Sequence, residues 1–75
     1  MTEQELKEYY MMFTGVWKFF RKWAVMDFPM TDKQWSQAAE ESEKLFDQYG
    51  RCKMAEYLIL GAMQKLEELE RQVRK

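Results

Sequence analysis

The heptapeptide WKFFRKW, residues 17–23, places four aromatic rings and three positive charges within seven positions. Rings that stack on bases beside cations that contact phosphates are typical of nucleic-acid-binding surfaces. A basic amphipathic helix lying on a membrane surface can show the same combination. A third interpretation is structural, with the rings inside a small helical protein and the charges facing water. Which interpretation applies depends on the secondary structure of this stretch and on the faces to which its rings and charges point.

Side chains that commonly perform acid–base or metal chemistry are scarce in this sequence. There is no His, which is the commonest general base and transition-metal ligand. The single cysteine, Cys52, lacks a His to activate it and falls on an apolar stripe, which favours a buried structural role. A run of acidic residues falls at solvated helix positions: Glu40, Glu41, Glu43 and Asp47. No glycine-rich phosphate loop is present, so the sequence predicts a non-enzymatic protein without cofactor, metal or small-molecule substrate.

Composition indicates a single folded domain. The chain has 75 residues, and its 47% hydrophobic and 16% aromatic content favours folding over disorder. Twelve Lys and Arg against 13 Asp and Glu give a net charge of −1, which argues against a general polyanion binder. One cysteine excludes an internal disulfide, and the acidic N-terminus is unlike a secretory signal. No apolar run approaches the ~18–20 residues that span a bilayer, so we expect a cytoplasmic protein that does not dock on membranes.

Two similar start signals define the first two of three predicted helices. Thr2 and Glu5 are spaced as a capping box, in which the hydroxyl and the carboxylate each bind the backbone amide of the other residue. Thr31 and Gln34 repeat the spacing. The sequence therefore predicts helices that begin directly after Thr2 and Thr31.

The ends of these helices are set by a proline and a glycine. Pro29 disfavours helical angles at the preceding residue, and Gly50 suits the left-handed position that follows a helix. These signals predict one domain over residues 1–75 with helices at about 3–26, 32–49 and 51–74. Helices of these lengths with short joints favour an all-α, up-down-up three-helix bundle in which helices 1 and 3 are parallel.

At about 100° per residue, each predicted helix carries an apolar stripe. The stripe of helix 1 comprises Leu6, Tyr9, Tyr10, Phe13, Val16, Trp17, Phe20 and Ala24. The stripe of helix 2 comprises Trp35, Ala38, Ala39, Ser42, Leu45, Phe46 and Tyr49. The stripe of helix 3 comprises Cys52, Ala55, Ile59, Ala62, Met63, Leu66, Leu69 and Val73. The core residues expected to be mutually buried are Trp17, Phe20, Trp35, Phe46, Ile59 and Leu66.

Helices 1 and 3 carry more apolar surface than these stripes need. Surplus apolar area with flexible Met around aromatic anchors is typical of a partner surface, although a helix that touches two neighbours also needs a broad apolar arc. Gly15 and Gly61 would let another helix approach closely, although surface glycines in helices are also tolerated. The candidate partner surface comprises Met12, Gly15, Phe19, Trp23, Met26, Met54, Tyr57 and Leu60.

Two functional hypotheses follow from these patterns. The leading hypothesis is a protein-interaction module. Its partner would be either a different protein or a second copy of the chain, which would form a homodimer. The alternative is a small nucleic-acid-binding regulator, with a basic set of contacts on helix 1 and at the start of helix 3: Lys18, Arg21, Lys22, Arg51 and Lys53. We also expect the cations of helix 1 to lie near the acidic end of helix 3, which carries Glu67, Glu68 and Glu70.

Three stretches, VWKFFRKW, DKQW and EESEKLFDQYG, together resemble small helical proteins of unknown function from Gram-positive anaerobes. Such proteins are often encoded near phage or conjugative-element genes. The resemblance covers nearly the whole chain and implies an accessory or regulatory role on a mobile element. It assigns no functional residue.

Overall fold

The computed structural model describes residues 1–73. Within them it contains α1 (Glu3–Ala24), α2 (Asp32–Gln48) and α3 (Lys53–Val73). Each helix contacts both of the others, which confirms the all-α three-helix bundle. The observed ends lie within two residues of the predicted ones, and the predicted end of the third helix at residue 74 lies outside the described residues.

The predicted capping box forms in full at α2, whereas at α1 only its bond from the Glu5 amide to the Thr2 hydroxyl forms. The Thr31 hydroxyl accepts from the Gln34 amide at 3.1 Å, and the Gln34 side chain accepts from the Thr31 amide at 2.8 Å. At α1, the Thr2 hydroxyl accepts from the Glu5 amide at 3.2 Å and donates to the Glu5 carboxylate at 3.3 Å. Both caps satisfy backbone donors that a helix start leaves without a partner.

The connection from α2 to α3 is a tight left-handed turn. Gly50 donates to the Asp47 carbonyl at 3.1 Å and Arg51 donates to the Phe46 carbonyl at 2.9 Å, the pair of bonds that defines a Schellman motif. Gly50 has a φ of +71° as predicted, and Arg51 also has a positive φ of 55°. Because a residue at that angle cannot belong to a right-handed helix, α3 begins at Lys53 rather than at residue 51.

Two clusters of buried side chains establish the direction of each helix. One cluster joins the middle of α1 to the start of α3 through Met12, Val16, Ala55 and Ile59. The other joins the end of α1 to the later part of α3 and to α2 through Phe19, Trp23, Met30, Ala38 and Leu66. Early residues of α1 therefore meet early residues of α3, and late residues meet late ones. This placement confirms that α1 and α3 are parallel. The intervening helix, α2, is antiparallel to both.

The predicted inner face of α1 is wrong. The buried residues of this helix are Met12, Val16, Phe19 and Trp23. Trp17, which we expected in the core, is 57% exposed. Relative to the predicted stripe, the buried face is rotated by about 100° around the helix axis. Of the other residues expected to be mutually buried, Ile59 and Leu66 are buried, whereas Phe20, Trp35 and Phe46 are partly buried.

Two polar or steric contacts with α2 explain this orientation. The buried Trp23 ring N–H donates to the Glu41 carboxylate at 2.9 Å, and a buried ring N–H without an acceptor would be costly. The Tyr49 hydroxyl crosses Gly15 and donates to the Met11 carbonyl at 3.1 Å. Apolar residues cover about half of the circumference of α1, so these contacts, rather than apolar periodicity, decide which part of the arc faces inward.

Smaller errors in the predicted stripes lie at their margins. Ala39 and Val73 are exposed, because α2 and α3 bury narrower faces than predicted. Met30 is 2% exposed and lies in the link between α1 and α2, so the core extends into a segment outside the helices.

The two mid-helix glycines differ in what surrounds them. A Cβ atom added to Gly15 would lie 1.8 Å from the Tyr49 hydroxyl, whereas nothing lies within 4 Å of a Cβ atom added to Gly61. Gly15 therefore permits a close approach by the chain's own Tyr49, rather than by the partner helix that we expected.

We predict opposite outcomes for alanine at these two positions. Gly61→Ala should raise the free energy of unfolding by about 0.5–1 kcal/mol, because alanine favours the helix and meets no obstacle. Gly15→Ala should give none of this gain, because the new methyl group displaces the Tyr49 ring. In a Tyr49→Ala background the gain at residue 15 should return. Urea denaturation of the four variants tests this, and equal stabilisation by both alanines in the otherwise unchanged protein would contradict it.

Candidate functional site

The rotation of α1 leaves a row of large apolar side chains in solvent. We call it the α1 strip: Leu6, Tyr10, Phe13 and Trp17, which are 55%, 70%, 50% and 57% exposed. At about 200 Å² for each large side chain, these fractions correspond to roughly 450 Å² of exposed surface. The largest apolar patch on a soluble monomer is typically of this size and is often functional.

The residues of the strip share one face of the helix. Their separations of four, three and four residues are those of a heptad seam, by which one helix packs against another. At the end of the strip, the Trp17 ring lies 6.4 Å from the ring of partly buried Phe20, measured between centroids. Phe20 packs against the core, so it supports the Trp17 end of the strip.

The sequence placed the candidate partner surface of helix 1 on the wrong side of that helix. Met12, Phe19 and Trp23 are buried, with exposed fractions of 7% or less, and Met26 is partly buried against the core. These four residues therefore belong to the interior, and the residues of the α1 strip are exposed to solvent in their place. The spacing that could have identified the strip was visible in the sequence, where it was interpreted as core.

On α3, the predicted surface residues are exposed. Met54, Tyr57 and Leu60 are 38%, 64% and 50% exposed, as their position off the core stripe predicts. Leu60 also borders a shallow groove between α2 and α3, lined by Ser42, Glu43, Phe46, Glu56, Ile59 and Met63. The role of these α3 residues in binding stays a prediction.

The five candidate nucleic-acid contacts do not converge. Arg51 and Lys53 precede Ala55, which packs with Met12, whereas Lys18 and Arg21 flank Phe19, which packs with Leu66. The two groups are therefore offset by roughly 12–20 Å along the bundle.

Three of these cations are also engaged by acids of the same chain. Lys22 binds Glu41 on α2. Arg51 binds Asp47, lies 3.8 Å from Glu43 and sits over the Phe46 ring. Lys53 binds Glu56 at 3.3 Å. We predicted that the cations of helix 1 lie near the acidic end of helix 3. The ends of α1 and α3 do lie at the same end of the bundle, but the acid that Lys22 binds is Glu41 on α2.

Glu41 connects α1 and α2 through one carboxylate. One oxygen binds Lys22 and the other accepts from the Trp23 ring N–H. Partial burial raises the pKa of Glu41, but these two hydrogen bonds and the charges of Lys22 and Lys44 outweigh it and hold the pKa below its usual value. The ionised form is therefore the one that the fold stabilises.

A pH dependence follows from the direction of this shift. A carboxylate whose pKa is lower in the folded state stabilises the fold above its unfolded pKa of about 4.3, and that contribution is lost as the pH falls through the folded value. We expect the stability difference between the unchanged protein and Glu41→Gln to be constant from pH 5.5 to 7.5 and to shrink below pH 4. Urea denaturation at each pH measures it. A difference that stays the same down to pH 3 would contradict the assignment.

A second carboxylate, which sequence analysis treated as part of the acidic end of helix 3, lies in the core. Glu70 is 7% exposed, and one of its oxygens accepts from the Met30 amide at 2.8 Å and from the Trp35 ring N–H at 3.1 Å. Glu70 follows Ile59, Met63 and Leu66 at helical spacing, which is the signal that could have identified it. Because this oxygen already accepts two structural donors, we assign Glu70 to the fold rather than to catalysis.

Other chemistry is limited in the described part of the chain. The thiol of Cys52 is free and partly buried against the cluster that contains Met12. Among residues 1–73, no three His, Cys, Asp or Glu side chains are grouped so as to hold a metal ion. None of the helices within that range combines the length and apolar character needed to cross a membrane.

Comparison with protein-family models, curated proteins and solved structures gave no match for this chain. The resemblance to small helical proteins of Gram-positive anaerobes therefore stays a prediction. The α1 strip is the most distinctive surface feature of the described residues.

Proposed function

We propose that this chain is a non-enzymatic protein-interaction module that binds its partner through the α1 strip. The observation that carries the proposal is the row of four apolar side chains, each at least half exposed, at the spacing of a helix-packing seam. Tyr and Trp within the strip are residue types that dominate binding energy at protein interfaces. A free cysteine, which the chain cannot pair internally, supports action in the reducing cytoplasm.

The helix that carries the strip packs its opposite face into the core. Met12, Val16, Phe19 and Trp23 are buried in the two core clusters. A surface backed in this way loses little conformational freedom when it binds, which favours affinity. The module therefore presents a largely preformed surface, in contrast to a segment that must fold on binding.

In-cell photo-crosslinking tests this proposal. A photoreactive phenylalanine analogue at residue 13 should give a discrete protein adduct, and the same analogue in place of exposed Lys44 on α2 should not. Adding Trp17→Gln should abolish the adduct at residue 13, because it removes the neighbouring part of the strip. The absence of an adduct at residue 13, or an equal adduct at residue 44, would contradict the proposal.

The nucleic-acid alternative makes a different prediction in the same assay. A regulator of that kind would crosslink to nucleic acid, and its binding would weaken steeply with salt. The salt bridges that already engage Lys22, Arg51 and Lys53 support the protein partner over this alternative. An adduct at residue 13 that is sensitive to nuclease would reverse that preference.

A further inference from the structure

Charges along the strip distinguish among the partners that it can accept. At about 100° per residue, Lys7, Lys18 and Arg21 follow the edge of the strip that points away from the core. All three are exposed. Glu3, which precedes Leu6, is the one acidic residue on that edge of α1. A partner lying along the strip therefore meets a positively charged border.

These three cations differ from most of the other described cations in forming no salt bridge. Within residues 1–73, no salt bridge involves Lys7, Lys18 or Arg21. Elsewhere in that range, most cations have an acidic partner within 4.0 Å: Lys22, Lys44, Arg51, Lys53 and Lys65. The other two described cations without such a partner, Lys33 and Arg71, lie on α2 and near the end of α3. The border of the strip thus carries three cations and one acid, Glu3, and none of these cations is held in a salt bridge with a described residue.

A second copy of the chain fits this border poorly. Antiparallel pairing of two strips sets Leu6 opposite Trp17 of the other copy, which brings Lys7 close to its Lys18 and Arg21 level with its Glu3. Parallel pairing turns the basic border toward the other edge of the strip, where Tyr9 and Phe20 lie. A second copy therefore offers an acidic neighbour to Arg21 at most, and like charges at the edge of a seam are unfavourable.

The length and spacing of the strip indicate a helix as the occupant. From Leu6 to Trp17 the strip extends about 17 Å along α1, or three turns. An amphipathic helix that presents apolar residues every three or four positions fills such a seam. Acidic residues on the flank of that helix would neutralise Lys7, Lys18 and Arg21.

We propose that the α1 strip binds an amphipathic helix with an acidic edge, belonging to a different protein. This inference rests on the proposed function and specifies its partner. Apolar contacts with Tyr10, Phe13 and Trp17 supply affinity, and the basic border sets the preference for an acidic flank.

Stapled helical peptides test this preference directly. Three 18-residue peptides share a leucine seam and carry Glu, Gln or Lys along the flanks. We expect the Glu peptide to bind about tenfold or more tightly than the Lys peptide in about 50 mM salt, with the ratio falling as salt is added. The double variant Lys7→Glu, Arg21→Glu should reverse the order. Titration calorimetry measures each dissociation constant, and circular dichroism confirms that each variant is folded.

Matched variants locate the site. Phe13→Gln with Trp17→Gln should weaken binding of the Glu peptide at least tenfold, whereas Tyr57→Gln with Leu60→Gln on α3 should leave it unchanged. If the charge-reversed variant does not fold, Lys7→Gln with Arg21→Gln should at least remove the preference.

The outcomes separate this inference from the proposed function. Two results would overturn the proposed acidic edge of the partner but leave the interaction module in place. One is equal binding of all three peptides, and the other is failure of the Glu peptide to bind while the residue 13 crosslink persists. Sedimentation of the unchanged chain as a dimer that Trp17→Gln dissociates assigns the strip to a second copy and overturns the acidic edge also. Binding of a single-stranded oligonucleotide through Trp17 and Arg21 overturns both proposals.

Discussion

Trp23→Ala is expected to lower the free energy of unfolding by about 3–5 kcal/mol, whereas Trp17→Ala should change it by less than about 1 kcal/mol. The two residues belong to the same heptapeptide. Trp23 is 3% exposed and gives its ring N–H to Glu41, whereas Trp17 is 57% exposed. Removing the Trp23 ring leaves a cavity between α1 and α2 and removes a donor from the Glu41 carboxylate. Removing the Trp17 ring mainly removes apolar surface that is already exposed to water, so it should cost little stability.

Urea denaturation followed by circular dichroism measures both values, since this signal does not depend on tryptophan. Trp23→Phe is a useful intermediate, because it retains most of the ring but has no N–H to donate. We expect its cost to lie between those of the unchanged protein and Trp23→Ala. A larger loss for Trp17→Ala than for Trp23→Ala would mean that α1 has the orientation that its sequence stripe predicted, and that the α1 strip is buried.

The second large effect is expected at Glu70. Glu70→Ala should cost about 2–4 kcal/mol, because it leaves the Met30 amide and the Trp35 ring N–H without the carboxylate that accepts from them. The effect should appear even though the replaced residue is charged and near the end of a helix. Both donors come from the link and the first turn of α2, so the loss should weaken the attachment of that segment to α3.

Two other substitutions make this test specific. Glu67→Ala, on the same helix but exposed, should change stability by less than about 0.5 kcal/mol. Glu70→Gln retains a carbonyl oxygen that can accept from the same donors, so its cost should be smaller than that of Glu70→Ala. A Glu70→Ala protein as stable as Glu67→Ala would show that this carboxylate does not hold the link in place.

Local signals in the sequence were enough to predict the helices. Thr31 with Gln34 and Gly50 act within a few residues of themselves, so their effects do not depend on the rest of the fold. They set the bounds of α2 to within one residue. The topology followed because three helices with short joints have few compact arrangements.

The orientation of α1 was not available from local signals. An apolar arc of about 200° contains two possible inner faces, and periodicity does not choose between them. The choice depends on contacts with distant residues, namely Glu41 for Trp23 and Tyr49 for Gly15.

The rings and charges of the heptapeptide at residues 17–23 have several roles instead of forming one surface. Phe19 and Trp23 are buried, and Lys22 joins α1 to α2 through Glu41. Trp17 ends the exposed strip, and Lys18 and Arg21 follow its basic border. A nucleic-acid surface was one of three interpretations of this mixture of rings and charges, and the structure divides the mixture between two faces of one helix.

Fluorine NMR of the protein labelled with 5-fluorotryptophan tests the central claim that the strip faces solvent and is the binding surface. Trp17→Phe and Trp35→Phe assign two of the three resonances, and the third belongs to Trp23. We expect the Trp17 resonance to shift between H2O and D2O in the free protein, and we expect this solvent shift to be lost when the Glu-flanked peptide binds. The Trp23 resonance should be insensitive to solvent in both states. A solvent-sensitive Trp23 would mean that α1 has a different orientation, and a Trp17 resonance that the bound peptide leaves unchanged would mean that the strip is not the binding surface.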